Sequence, residues 1–277
     1  MQTKIEWADT SWNPIKMRCT PVSEGCAHCY ARRILSRNLP GFTSYPKEGE
    51  LPKLDEKELE KPLSWKKPRM VFVESMGDLF HELVDWEDVF KVWEVMEKCP
   101  QHTFMILTKR PEFAKDFDFE ANISDESVGI FPWRVFGDNA NIWLGVSVEN
   151  QEQADKRIPV LLQIPAAVRF VSVEPMLEPV DLRCVQTDVV EIDVLTGNHG
   201  VYRPLEGRSN NKLSWVVYGP ETGPNKRPFD IQWGLDLQRQ CQDAGVPVFA
   251  KKLLHPEMIR EMPKFKGGAN EKRCLEI

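Results

Sequence analysis

No run of apolar residues in this 277-residue chain reaches the roughly 18 needed to span a bilayer. The opening stretch "MQTKIEWADTSWNP" lacks the apolar core of a secretory leader. Positive charge is in deficit: 36 Lys and Arg stand against 42 Asp and Glu, a net charge of -6. A protein that gripped nucleic acid with its whole surface would carry the opposite sign, so nucleic acid, as a partner, must meet a local basic patch. No glycine-rich phosphate loop follows any apolar run, which weakens a nucleotide-binding doubly wound reading. Cysteine is sparse, with seven in all. With no leader and no membrane span, the chain is expected in the cytoplasm, where thiols stay reduced and clustered cysteines read as metal ligands or catalytic groups rather than disulfides.

What is present is a repeating pattern. Apolar runs rich in Val, Ile, Phe and Leu lie at Arg69–Asp78, Thr103–Arg110, Asn141–Asn150, Val168–Met176, Leu213–Glu221 and Val246–Leu253. Nearly continuous apolar interiors are the signature of parallel strands covered on both faces. Helical segments lie between them. Asp85–Cys99 carries Val89, Val92, Trp93 and Met96 on one stripe, with Asp85 as a capping residue. A second starts at Asn150 and is expected to break or kink at Pro159, and a third runs from Asp230 to a stop at Gly245. Alternating strands and helices predict an α/β fold: a full or partial TIM-like (βα) barrel of parallel strands with inserted loops, in one domain over 1–277. A doubly wound open sheet is the alternative. Residues 40–69 read as a solvated connection, about 111–140 and 181–212 as insertions, the latter with a hairpin around "GNHG", and 251–277 as a basic C-terminal segment.

In such a barrel the ligand site lies at the carboxyl ends of the strands. The ring predicted there comprises Glu74, Ser75, Asp78, Thr108, Lys109, Arg110, Ser147, Glu149, Asn150, Ser172, Glu174, Glu221, Lys251 and Lys252. Strands end where solvent begins, so polar residues gather there in any case. Yet Glu149, Glu174 and Glu221 recur at matching positions. Glu149 and Glu174 could form the acid and base of a hydrolase, and Arg110 suits an anion.

The densest chemistry is earlier, in the loop over 12–35. "CTPVSEGCAHCYARRIL" places Cys19, Cys26 and Cys29 in a C-x6-C-x2-C spacing. A helix is expected to begin just after Cys29, so that its positive end faces that thiol. A closed zinc site needs four protein ligands. Cys99, Cys184, Cys241 and Cys274 stand apart from the loop, and His28 is awkwardly placed between two of its thiols. Three thiolates suit a 4Fe-4S cluster with one open iron; zinc, or no metal, remains the alternative.

With these residues in view, the chain resembles the radical S-adenosylmethionine (SAM) superfamily. More closely, it resembles a phage- and plasmid-borne family of radical-SAM-like proteins with a three-cysteine motif. The matching stretches include "KIEWADTSWNPI", "CTPVSEGCAHCYA", "VFVESMGDLFHE", "ILTKRPE", "WLGVSVENQEQADKRIPVLLQIPA", "RFVSVEPMLEPVDL" and "WVVYGPETGPNKRPFD". The resemblance implies a 4Fe-4S cluster on Cys19, Cys26 and Cys29, with SAM on the open iron and cleaved to a 5′-deoxyadenosyl radical. By position it implies SAM contacts from Ser75, Met76, Gly77, Asp78, Lys109, Arg110, Ser147, Glu149 and Asn150. Catalytic roles toward substrate would fall to Glu149, Glu174, Glu221 and Lys251. The gap of six residues between the first two cysteines, His28 before the third, and Gly219-Pro220-Glu221 after the fifth predicted strand depart from the common pattern.

Through the same resemblance, the expected substrate is DNA or a nucleotide, such as an amino-acid-hypermodified thymine in phage DNA remodelled by an isomerase. The expected partners are a reducing electron donor and a protein encoded nearby. Basic residues in 251–277 could meet phosphates, and Trp12, Trp65, Phe80 or Trp86 could stack on a base. A zinc- or cluster-stabilised binding protein without catalysis is a competing reading, as is the hydrolase.

Overall fold

The computed structural model describes residues 5–37, 39–122, 136–137, 139–199 and 212–264. Seven parallel strands form its main sheet: β1 (Thr10–Trp12), β4 (Met70–Val73), β5 (Thr103–Thr108), β6 (Ile142–Val148), β7 (Arg169–Val173), β11 (Trp215–Tyr218) and β12 (Val248–Ala250). They lie side by side in chain order with no reversal. A doubly wound sheet reverses its order at a switch point, so that alternative is overturned. The sheet is a curled half-barrel with β1 and β12 as its two edges.

Six strands coincide with the six apolar runs. The seventh, β1, has no long apolar run to announce it. It is held by parallel pairing of Thr10, Ser11 and Trp12 with Val71, Phe72 and Val73. Helices α3 (Trp86–Glu97), α4 (Pro111–Asn122), α5 (Gln151–Leu161) and α6 (Ile231–Asp243) follow β4, β5, β6 and β11. Three caps form as their sequences require: the Asp85, Asn150 and Asp230 side chains accept the Glu87, Gln153 and Gln232 backbone N–H groups. Helix α5 runs on through Pro159 and ends two residues later at Leu161. Pro159 sits in its last turn and costs the one bond that an N–H there would have made to the Asp155 carbonyl, without ending the helix.

The stretch from 111, expected as an insertion, begins with α4, the helix of an ordinary βα unit; 123–135 and Asp138 lie outside the described residues. The excursion from 181 contains a small antiparallel sheet of β8 (Val185–Gln186), β9 (Glu191–Asp193) and β10 (Asn198–His199). The connection over 40–69 is more structured than its composition predicts. It contains β3 (Lys53–Leu54), which pairs with β2 (Ile15–Lys16), and the short α2 (Glu56–Leu59).

Alternation along each strand separates two cores. Val71, Val73, Phe104, Ile106, Leu144, Val146, Val171 and Val216 pack with Val89, Val92, Trp93, Met96, Ile158, Leu161 and Leu237 of the helices. Met70, Phe72, Met105, Trp143, Phe170, Trp215, Val217 and Phe249 fill the other, concave face together with Trp7. Trp7 meets Phe72 with centroids 4.8 Å apart and lies edge-on to Trp215 at 6.0 Å. Phe170 folds across β6 at Gly145, where a Cβ would stand 2.5 Å from the ring. The interior of the half-barrel is therefore an aromatic floor, closed to water below and open at the strands' carboxyl ends. Among the residues offered for base stacking, Trp12 and Phe80 belong to the buried core, whereas Trp65 and Trp86 are only partly buried.

Candidate functional site

Above the aromatic floor is a cavity of ≈ 240 Å³, roofed by the cysteine loop. Cys19, Cys26 and Cys29 all line it, as do Ser75, Met76, Gly77, Asp78, Lys109, Arg110, Ser147, Glu174, Glu221 and Lys251. The half-barrel thus brings together residues that the sequence places far apart. Three residues of the predicted ring do not line it. Glu149 is fully buried at the end of β6, Asn150 caps α5, and Lys252 pairs with Glu6 outside the cavity.

The loop is fixed to the rim by side chains from successive strand ends. At its first end, Arg110 donates to the Thr20 carbonyl (3.2 Å) and hydroxyl (2.8 Å), pairs with Asp78 (3.3 Å) and Glu82, and reaches Cys19 Sγ at 3.7 Å. Asp78 is held in turn by the Thr108 hydroxyl and the Lys109 N–H, at 2.7 and 3.1 Å. At the middle, Glu149 accepts the Gly25 N–H (3.2 Å), and its other oxygen meets Lys109 (3.0 Å) and Arg157 (3.1 Å). Gly25 permits this approach, since a Cβ there would stand 2.6 Å from Lys109 Nζ and 3.0 Å from Glu149 Cδ. Near the third cysteine, His28 Nδ1 lies 2.9 Å from Glu221, which Arg227 also grips, and Arg227 reaches the Glu24 carbonyl at 3.2 Å. Cys29 occupies the N-cap of α1 (Tyr30–Leu35), as its position before that helix predicts, and the Tyr30 hydroxyl donates to the Ser75 carbonyl.

These neighbours make the thiols unequal. Burial pushes the Cys19 thiol up to about 12, and the Asp78 charge adds to it while Arg110 opposes it. Burial also raises Cys26, but the Lys109 ammonium and hydrogen bonds at Val22 and Ser23 outweigh it and leave the thiol below its ordinary range. Burial likewise raises Glu149, and Lys109 and Arg157 more than reverse it. Glu221 is held down to about 2 by hydrogen bonds from Arg227, with His28 adding to the effect. Elsewhere on the cavity wall, Lys251 pairs with Glu174 at 2.7 Å, and Ser172 donates to the same carboxylate at 3.4 Å.

Glu74 stands apart from this pattern of pairs. It follows β4 directly, adopts a left-handed φ of 53° and is buried at 2% exposure. One oxygen accepts the Ile15 N–H at 2.7 Å, while Oε2 has no partner. Burial raises its carboxyl to about 8, against the opposing pull of the Ile15 N–H and Lys16, so it is protonated at neutral pH. Trp7 Nε1 is the second buried polar atom without a partner on a side chain lining the cavity. The sequence pattern gives neither residue a role beyond, for Glu74, membership of the ring. The available signal was that Glu74 falls immediately after its strand, as Glu149 and Glu174 do.

Among the described residues no group of three or more His, Cys, Asp or Glu side chains is placed to hold a single metal ion. A cluster takes each thiolate on a different iron, and three half-buried thiols on one cavity wall beside Lys109 and Arg110 are a donor set that fits one. Among the same residues no helix is long and apolar enough to cross a membrane. A family model described as a protein of unknown function (DUF5131) matches residues 2–274. No curated protein and no solved structure matches the chain.

Proposed function

The chain belongs to the DUF5131 family, described as of unknown function, and from that premise we propose that it is a radical SAM enzyme acting on a nucleic-acid-linked substrate. The observation that carries this reading is three cysteines on one clamped loop, all facing a cavity at the carboxyl mouth of a parallel half-barrel. Cys19, Cys26 and Cys29 would hold a 4Fe-4S cluster, which when bound with SAM supplies reductive cleavage of SAM and so hydrogen-atom abstraction from substrate.

The protein's own residues prepare the site. Lys109 favours the thiolate of Cys26. Arg110 ties Cys19 and Thr20 to Asp78 and so fixes the first thiol against the rim. Glu149 and Glu221 are positioning residues: the first orders Gly25 and Lys109, the second His28 and Arg227. Ser75, Met76, Gly77 and Ser147 line the cavity and would contact SAM. Glu174 and Lys251, paired at the rim, are the groups offered to substrate. Trp7, Phe72 and Leu107 close the bottom of the cavity and exclude water. A hydrolase would need Glu149 to give and take a proton, and that carboxylate is held between two cations. For the substrate we adopt the nucleic-acid-linked class, an amino-acid-modified thymine in phage DNA being its most specific member.

Anaerobic reconstitution with iron and sulfide tests the reading. The expected result is about four irons per chain, with 5′-deoxyadenosine released on reduction in the presence of SAM. Tight zinc with no iron uptake would overturn it.

A further inference from the structure

A second and larger cavity, ≈ 560 Å³, lies alongside α1 and shares Cys19, His28, Cys29, Ala31 and Met76 with the inner one. Its wall carries Arg18, Arg32 and Arg33, with Glu48 as its one acidic residue. These arginines differ from most others described. Arg110, Arg157, Arg183, Arg227, Arg239 and Arg260 each pair with a carboxylate. Among the described residues Arg18 donates to the Pro46 and Leu35 carbonyls, at 2.7 and 3.2 Å, and has no carboxylate within ion-pair reach. Among the described residues, Arg32 and Arg33 have no carboxylate within ion-pair reach, and the Arg33 guanidinium lies over Gly223. Both sit in the last turn of α1, where cations complement the helix dipole. That accounts for two positive residues there but not for a groove lined by three arginines and a single carboxylate, Glu48, with which none of them forms an ion pair among the described residues.

The basic C-terminal segment shows the opposite arrangement. In its described part Lys251 pairs with Glu174, and Lys252 and Arg260 both pair with Glu6; residues 265–277 lie outside the described residues. In a chain of net charge -6, uncompensated cations on a concave wall mark a place for an anion.

We propose that this groove holds the phosphates of a single nucleic-acid strand and leads its modified nucleotide to the adjoining inner cavity. The proposal rests on reading that inner cavity as a site for a nucleic-acid-linked substrate. Guanidinium forks match phosphate oxygens in pairs, and three of them along one groove suit successive phosphates of a strand better than one isolated anion. A concave cleft also fits a backbone, whereas docking a folded acidic protein needs a broad face of about 800 Å².

The test uses the full chain and a short fluorescein-labelled single-stranded DNA, with binding read by anisotropy over a range of salt concentrations. Arg32→Ala with Arg33→Ala should weaken binding at least tenfold at low salt. It should also make the plot of log K against log salt shallower by about 1.4, at about 0.7 for each phosphate contact on a single strand. Arg32→Lys with Arg33→Lys should keep most of the slope, and Arg183→Ala with Arg239→Ala should change neither quantity. Unchanged melting temperatures show that the variants fold. Equal affinity and slope in wild type and the double alanine variant would overturn the proposal. Displacement of the strand by polyglutamate at equal charge would overturn it in favour of an acidic protein. Displacement by a deoxynucleoside monophosphate at equal phosphate would overturn the strand in favour of a mononucleotide. Iron content and 5′-deoxyadenosine release are read separately on the wild-type chain. Strand binding through Arg32 and Arg33 without either supports the groove and refutes the cluster; cluster chemistry without strand binding refutes the groove alone.

Discussion

Glu74 offers a test that needs no cofactor. Its carboxyl is raised from the ordinary 4.5 to about 8 by burial. A group raised in the folded state contributes stability that is complete below its unfolded value and is lost as pH rises through the folded one. Each pH unit between the two values removes about 1.4 kcal/mol. Between about pH 6 and about pH 9 the loss is about 3 kcal/mol, because the group is fully ionised unfolded throughout but ionises in the folded chain only near the end of that range. Glu74→Gln removes the titration and keeps an oxygen to accept the Ile15 N–H, now made at 2.7 Å. The stability of the Gln variant relative to wild type should therefore rise by about 3 kcal/mol across that interval, whatever the variant's starting stability. Urea unfolding of both proteins at the two pH values, followed by tryptophan fluorescence and circular dichroism, reads this difference. Other titrating groups cancel in the comparison. A gap between the two proteins that stays constant with pH would refute a buried, protonated Glu74.

Other consequences are direct. In the metal-free protein Cys26 should be alkylated by iodoacetamide ahead of Cys19, since the first thiol lies below its ordinary range and the second is raised to about 12; peptide mapping by mass spectrometry reads the order, and Lys109→Met should slow the Cys26 reaction severalfold. Glu149→Gln should cost about 3 to 5 kcal/mol in urea unfolding, because it leaves Arg157 and Lys109 beside a neutral amide in a buried setting. Glu174→Gln, at a more exposed pair with Lys251, should cost about 1 kcal/mol or less. Gly145→Ala should lower stability by about 1 to 3 kcal/mol, since its Cβ would meet the Phe170 ring at 2.5 Å; a melting temperature equal to wild type would show that the floor can repack.

The strands were readable because burial on both faces leaves a continuous apolar run, and all seven residues of β6 are buried. The caps at Asp85, Asn150 and Asp230 were readable because a capping bond is local. β1 was not, because three residues held by pairing to β4 leave no periodicity to detect. Pro159 misled for a related reason. A proline beyond the first turn costs one backbone bond and crowds one carbonyl, and α5 continues past that cost where it packs against β6. The helix α4 was hidden inside an apparent insertion because its sequence, "PEFAKDFDFEAN", alternates charge with aromatic residues. Phe117 turns inward to stack on Trp86 and pack against Phe80, a partner choice that sequence alone does not reveal.

The positions of the polar ring were legible, but the division of labour within it was not. Position follows from strand ends, which the chain encodes locally. Role depends on what the cysteine loop places opposite each side chain, and that loop is fixed only by residues from β4, β5, β6 and β11. Asp78 and Arg110 line the cavity, and they also pair with one another and, through Arg110, hold Thr20. Glu149 is spent on Gly25, Lys109 and Arg157, and Glu221 on His28 and Arg227. The same bonds give three cysteines that look alike in the sequence three different surroundings: one beside a carboxylate, one beside an ammonium and one at a helix start. A ring that spends much of its charge on holding the loop leaves few polar groups free to select a ligand. Among the described residues those that remain include Ser75, Ser147, Glu74 Oε2, Trp7 Nε1 and the Glu174–Lys251 pair at the inner cavity, together with the arginines of α1 outside it. The groups left to meet a ligand therefore lie at the floor, at the Glu174–Lys251 pair and along the outer wall, while Arg110, Glu149 and Glu221 frame the loop.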